Sequence, residues 1–341
     1  MMDISALGEF ALIARLTAGL TSRVDISLGV GDDCALLDLS NDQQLLATCD
    51  SQVENIHFTL HTSTPEHIGR KALAINLSDI AAMGGVPRYA LVSLILPPQF
   101  PIAMLDGIYA GLRLEAEQYA TAIVGGNIAS AGKSDQLTID ITLLGTVERG
   151  RAIRRDGARV GDVLCVTGFL GDSSGGLYTL LHPDCACSQE ARECLQAIHR
   201  TPRPRIEEGR ALNQLGPQVV TAMLDISDGL SGDLGHLCER SRVGARVDLA
   251  HLPLSPELHI VAANVSCDPF QWALHGGEDY ELLFTVSPGN EHRVIEAVQS
   301  ATGTQVTVIG SLLSPDEGMK LRYPDGREGP LVVASWDHLL P

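Results

Sequence analysis

The stretch Arg70–Gly85 constrains the fold more than any other part of the chain: it is an apolar run with Asn76, Ser78 and Asp79 set into it. Ile68, Ala72, Ile75, Ala82 and Met83 recur at three- and four-residue steps, which predicts a helix. Pro65 falls where a first helical turn tolerates it. Gly84 and Gly85 offer a left-handed stop, and Pro87 forbids continuation. A carboxylate surrounded by Ile75, Ile80, Ala82 and Met83 is costly unless a cation or several donors meet it. Taken alone, Asp79 is explained equally well as the wet side of an amphipathic helix.

Other acids stand in similar surroundings. Asp32 and Asp33 occupy a glycine turn leading into a strand, and Asp50 directly follows the expected strand 44–49. Asp225 and Asp228 fill the turn between a strand at 219–224 and a helix at 230–240, and Glu278 and Asp279 follow Gly276-Gly277. Any one of these is ordinary turn chemistry. Together they form the hard oxygen set with which Mg²⁺ is held beside substrate phosphates, and such ions can neutralise a nucleoside triphosphate without a phosphate-binding lysine loop. Arg154 and Arg155 suit either a phosphate clamp or a solvated basic turn. The segment Gly125–Ser134 imitates a G-x-x-x-x-G-K-S loop, but the required glycine position holds Asn127, and a period-two strand follows instead of a helix. That loop is rejected.

The remaining segments read as a helix over 5–20, a buried strand over 89–96, a helix over 101–119, and strands over 121–127 and 136–147. Beyond them come a strand over 162–168, a Gly-Ser turn and helix, the Pro-bounded linker 201–205, a strand through Val286, a helix near 289–301 and two closing strands. Five arginines between 149 and 159 mark a boundary, giving domains 1–148 and 149–341. Neither strict strand–helix alternation nor a dinucleotide fingerprint is present, so the class is α+β. With 24 Lys+Arg against 42 Asp+Glu and a net charge of −18, the chain is unsuited to nucleic acid or anionic membrane. No apolar run reaches membrane-spanning length, the N-terminus lacks signal-peptide character, and eight scattered cysteines suit a reduced cytoplasm. Cys185, Cys187 and Cys194 lack the second pair that a zinc site needs.

Four segments in order carry a resemblance: Gly31-Asp-Asp-Cys-Ala-Leu-Leu, Lys71 to Gly84, Asp225-Ile-Ser-Asp-Gly-Leu and Gly276-Gly-Glu-Asp-Tyr-Glu-Leu. From about Gly8 to Trp336 the chain resembles the thiamine-monophosphate kinases of the aminoimidazole ribonucleotide synthetase superfamily. The resemblance implies a two-domain α+β fold whose N-terminal mixed sheet forms a homodimer interface, with a C-terminal α/β sandwich domain. It implies ATP, several Mg²⁺ ions, and phosphorylation of thiamine monophosphate to thiamine diphosphate. Matched residue by residue, Asp33, Thr48, Cys49, Asp50, Asp79, Asn127, Asp225 and Asp228 fall at metal-binding positions. Cys49 could serve there only through its main-chain oxygen. Tyr109, Gly126, Asn127, Arg155 and Ser227 fall at nucleotide positions, and His57, Glu278 and Trp336 at substrate positions. Asp33, Asp79, Asp225 and Arg155 would carry catalysis. The family usually has aspartate where Asn127 stands, and segment 51–56 is also unlike the usual one. These departures leave open another ATP-dependent enzyme of the superfamily, or a non-catalytic paralogue that binds nucleotide or thiamine diphosphate.

Overall fold

The computed structural model describes residues 9–18, 20 and 23–334, and the central helix forms its axis. The first half runs α1 (Glu9–Thr17), β1 (Ile26–Leu28), β2 (Ala35–Asp38), β3 (Gln43–Val53), α2 (Pro65–Ala82), β4 (Val86–Leu96), α3 (Ile102–Gln118), β5 (Ala122–Ser130) and β6 (Thr138–Glu148). The second runs β7 (Val163–Thr167), α4 (Asp172–Leu181), α5 (Gln189–Arg200), α6 (Ile206–Leu215), β8 (Val220–Asp225), α7 (Leu230–Ser241) and β9 (Gly244–Asp248). It continues through α8 (Pro256–Val265), α9 (Pro269–His275), β10 (Leu282–Val286), α10 (Glu291–Thr302), β11 (Val306–Leu313), β12 (Met319–Arg322) and β13 (Glu328–Pro330).

Two mixed sheets organise these elements. The first has the order β1-β2-β3-β6-β4-β5, with only β4 and β5 parallel; the second has the order β13-β12-β9-β11-β7-β10-β8, with only β9 and β12 parallel. Along β6, buried Ile139, Ile141 and Leu143 alternate with residues of the opposite, half-exposed face, the period-two signature of a sheet covered on one side. The cover is α2. The Thr64 hydroxyl accepts from the His67 N–H at its start, and Gly84 (φ +66°) turns the chain out of it. Sequence periodicity suggests an amphipathic helix, yet Lys71 through Ser78 and Ile80 through Ala82 are all buried. A helix enclosed on every side lies between layers. On one side α3 approaches so closely that a Cβ at Gly69 would stand 1.9 Å from the Ile108 carbonyl oxygen, and one at Gly111 would stand 2.0 Å from that of Glu66. On another, α6 packs between α2 and α10. One apolar cluster therefore runs without a break from Leu73 and Leu77 through Leu212 to Met223 and Phe284 of the second sheet. Each such fully buried Leu contributes about 1.5–3 kcal/mol.

Several local expectations change. The helix expected over 5–20 occupies Glu9–Thr17, with residues 5–8 and the Phe10 side chain outside the described set. The strand expected to end at Cys49 continues to Val53 because β6 pairs with it along its whole length, Gln43↔Glu148 to Val53↔Thr138. The strand expected to stop at Asn127 runs on to Ser130 beside β4. The Gly-Ser turn after β7 is the body of α4, whose N-terminal N–H groups on Gly171 and Ser173 are held by the Asp279 carboxylate. Among the described residues three strands, β11 to β13, follow α10 where two were expected, and α6, α8, α9 and β9 were not legible as separate elements.

Candidate active site

β3 projects beyond the end of β2, so its second half lies open toward α2. Asn76 meets it there: its Oδ1 accepts from the Asp50 N–H (3.1 Å) while its Nδ2 donates to the Ala72 carbonyl (3.1 Å). Farther along, His57 Nδ1 accepts from the Val53 N–H at 3.0 Å. The polar residues within the apolar helix thus bind an open strand edge and neighbouring acids. Ser78 donates to Asp225 Oδ2 (2.5 Å) at the end of β8, and Thr48 donates to Asp79 Oδ2.

Asp33, Asp79 and Asp225 bring carboxylate oxygens within 4.8 Å of one another. Arg155 approaches from the interdomain segment. Its Nη2 bonds Asp33, its Nε lies 3.3 Å from Asp32 Oδ1, and its main-chain N–H donates to Asp32 Oδ2 at 3.1 Å. Among the described residues, Arg155 is the cation paired within these four crowded acids. Burial first, then the Asp33 charge, pushes Asp225 up to about 8 and Asp32 to about 7, against the pull of Arg155. Burial followed by Asp50, Asp225 and Asp33 holds Asp79 well above the carboxylate range. Asp33 Oδ2 is buried and, among the described residues, has no hydrogen-bond partner. Converging hard oxygens, one of them an unsatisfied acceptor, fit a divalent cation.

Asp50, Asp79 and Asp225 line a cleft of about 720 Å³ between the two halves, together with Ser227, Asp228, His57 and Glu278. Ser173 and Ser174 from the start of α4 and His199 from α5 also face it. Glu278 stands at φ +66° and is paired with buried Lys71, Nζ to Oε1 2.6 Å. Burial raises the Glu278 carboxyl, but Lys71 and then His199 outweigh it and leave the group below its ordinary value. Burial, followed by the Lys71 charge, pushes His199 down to about 4.

Residues 31–147 match the AIR synthase related protein N-terminal domain, and residues 159–319 match its C-terminal domain. The thiamine-monophosphate kinase of Escherichia coli (strain K12) is 38% identical over 98% of this chain and 98% of its own length. The chain belongs to the thiamine-monophosphate kinase family. A solved structure of that family, AaThiL complexed with AMPPCP and TMP, is similar with a TM-score of 0.84 at 34% identity, covering 99% of both chains. Escherichia coli HypE shares the fold at 21% identity and a TM-score of 0.71, over 95% of this chain and 97% of its own.

The structure brings Asp33, Thr48, Asp50, Asp79, Asp225, Asp228, Ser227, Arg155, His57 and Glu278 to the cleft or to its acid cluster. Four others lie elsewhere on this chain. Cys49 alternates to the outer face of the first sheet and donates to Asp140 (3.0 Å). Asn127 is exposed beside Ser93, which pairs with Asp140 on that face. Gly126 adjoins it on β5, and Tyr109 packs from α3 against the apolar core. Trp336 is outside the described residues. Sequence reasoning gave no role to Lys71, Ser78 or His199. Lys71 carries the signal used for Asp79, a charge between Ile68, Ala72 and Ile75, and could have been found by it; His199, on a polar-looking helix, gave none.

Proposed function

We propose that this chain transfers the γ-phosphoryl group of ATP to the phosphate of thiamine monophosphate, giving thiamine diphosphate and ADP. The observation that carries the reading is the convergence of Asp33, Asp79 and Asp225 with Arg155 at a cleft between the two halves. Family membership and the AaThiL complex with AMPPCP and TMP support the substrate pair. An acceptor phosphate oxygen is already ionised near neutral pH, so no strong general base is required, and alignment plus charge neutralisation lowers the barrier. Asp33, Asp79 and Asp225, with Asp50, Asp228 and the Thr48 hydroxyl beside them, would hold Mg²⁺. When bound, Mg²⁺ supplies neutralisation of the facing phosphates. Arg155 donates to ATP oxygens, and its tether to Asp32 and Asp33 fixes its direction. Ser227 contacts ATP, while His57, Glu278 and Trp336 hold the acceptor.

The reading includes a homodimer through the outer face of the first sheet. Tyr89, Leu91 and Ile95 of β4 stand exposed there. By the family resemblance, Gly126, Asn127 and the Cys49 main chain of the first sheet, with Tyr109 of α3, belong to the nucleotide and metal contacts. The setting is the cytoplasm, where thiols stay reduced; all eight cysteines are free, and no described helix is long and apolar enough to cross a membrane. The test is incubation of purified protein with ATP, Mg²⁺ and thiamine monophosphate, with chromatographic separation of the thiamine phosphates. Stoichiometric thiamine diphosphate and ADP support the reading. Nucleotide binding without diphosphate overturns it, and ADP release with other phosphorylated substrates would then assign a different acceptor.

A further inference from the structure

Glu278 keeps a left-handed backbone that side-chain-bearing residues avoid, and such a conformation persists only where its surroundings impose it. The surroundings do so from three directions. The Glu278 N–H donates to the Ser227 carbonyl (2.7 Å), and the Tyr280 N–H donates to that of Ile226 (2.8 Å). Between them, Asp279 is locked onto the start of α4. The third direction is the side chain itself, whose Oε1 meets Lys71 of α2 while Oε2 lies 3.5 Å from His199 Nδ1. His199 is fixed in turn by Ser173 Oγ at 3.0 Å. The Lys71–Glu278 pair joins the two halves of the chain beside the cleft that Glu278 lines.

We infer that Lys71 is a positioning residue for the acceptor: by pairing with Glu278 it holds an ionised, oriented carboxylate in the cleft, as hydrogen-bond acceptor for an amino group on the acceptor's heterocycle. The inference rests on the kinase reading above. Alone, the Glu278 carboxylate would be a counter-charge for a cationic acceptor ring; the structure places a lysine on it, so the pair is neutral and what it offers is direction. A carboxylate has about four acceptor sites, more than Lys71 and His199 occupy. Helix geometry adds a measure of length. Lys71 and Asp79 lie on one helix eight residues apart, about 12 Å of axial rise. A single rigid element thus sets the spacing between the group that orients the heterocycle and the acids where phosphates meet, which selects for a long acceptor carrying its phosphate at the far end.

The experiment is a double-mutant cycle on Lys71→Met and Glu278→Gln, read as KM for thiamine monophosphate, KM for ATP and kcat. Each single variant should raise the acceptor KM by about tenfold or more, with ATP KM within about threefold. The double variant should resemble Glu278→Gln, since Lys71 acts only through that carboxylate. Removing either partner leaves the other's charge uncompensated; where a single variant does not fold, the double variant, which strands no charge, decides by its acceptor KM. An unchanged acceptor KM in folded Lys71→Met overturns the inference, as does an additional loss in the double variant. Wild-type protein that forms no thiamine diphosphate brings down the kinase reading and this inference with it; active wild type with an unaffected variant brings down the inference alone.

Discussion

Asp225→Asn in metal-free protein is a direct probe of the acid cluster. Burial and the Asp33 charge lift the Asp225 carboxyl from its ordinary 3.8 to about 8. A carboxyl that binds its proton more tightly in the folded state makes its full contribution below the unfolded value. That contribution is lost as pH rises, by about 1.4 kcal/mol per pH unit, until the folded value is passed. Across this interval the loss is at most about 6 kcal/mol, and local relaxation with sharing among Asp33 and Asp79 reduces the recoverable part to about 2–4 kcal/mol. Asparagine has no proton to lose. The variant should match wild type near pH 4 and exceed its stability by about 2–4 kcal/mol near pH 9. Urea unfolding in chelator at several pH values measures this, and the difference between the two proteins isolates the one group from the other raised acids, Asp32 and Asp172. Added Mg²⁺ should stabilise wild type at high pH and have little effect on the variant. A variant no more stable than wild type at pH 9, or a difference independent of pH, would refute the electrostatic account.

Asp79→Ala should lower turnover by about a hundredfold or more while leaving a folded protein, checked by steady-state assay beside circular dichroism. Arg155→Ala should raise ATP KM by about tenfold with a smaller effect on the acceptor, seen by varying each substrate in turn. Gly69→Ala must push α3 from α2 to relieve a Cβ contact of 1.9 Å, so it should cost about 3 kcal/mol or more, read from chemical denaturation; a cost under about 0.5 kcal/mol would contradict the packing. Asn127→Asp should lower the Mg²⁺ concentration for half-maximal activity, and an unchanged Mg²⁺ titration would remove Asn127 from the metal-binding set.

Much of this architecture was legible because long elements carry their period openly. β4, β6 and α3 lie close to where apolar spacing puts them, and α2 starts at the expected proline and stops at the expected glycine. The acid turns were visible as a set, though their convergence was not, because Asp33, Asp79 and Asp225 come from segments more than 140 residues apart at the extremes. The failures have physical causes. α4 looked like a loop because Ser173, Ser174, Gly175 and Gly176 are weak helix formers, and tertiary packing with the Asp279 cap overrides that preference. β3 outran its expected end because pairing with β6, not local propensity, sets its length. The Lys71–Glu278 pair joins positions 207 apart, and nothing in either neighbourhood names the other.

The enclosure of α2 on every side has an evolutionary consequence. A helix whose neighbours are fixed by two glycine–carbonyl contacts, a strand edge and a second domain cannot exchange residues singly; nearly each replacement would open a void or force a clash. Selection for a new acceptor therefore has little room to act there. It has more at the cleft's periphery, in the segment from Ser51 to Thr62 and along the cleft-facing side of α4, where side chains border open space. Escherichia coli HypE keeps the same fold at 21% identity.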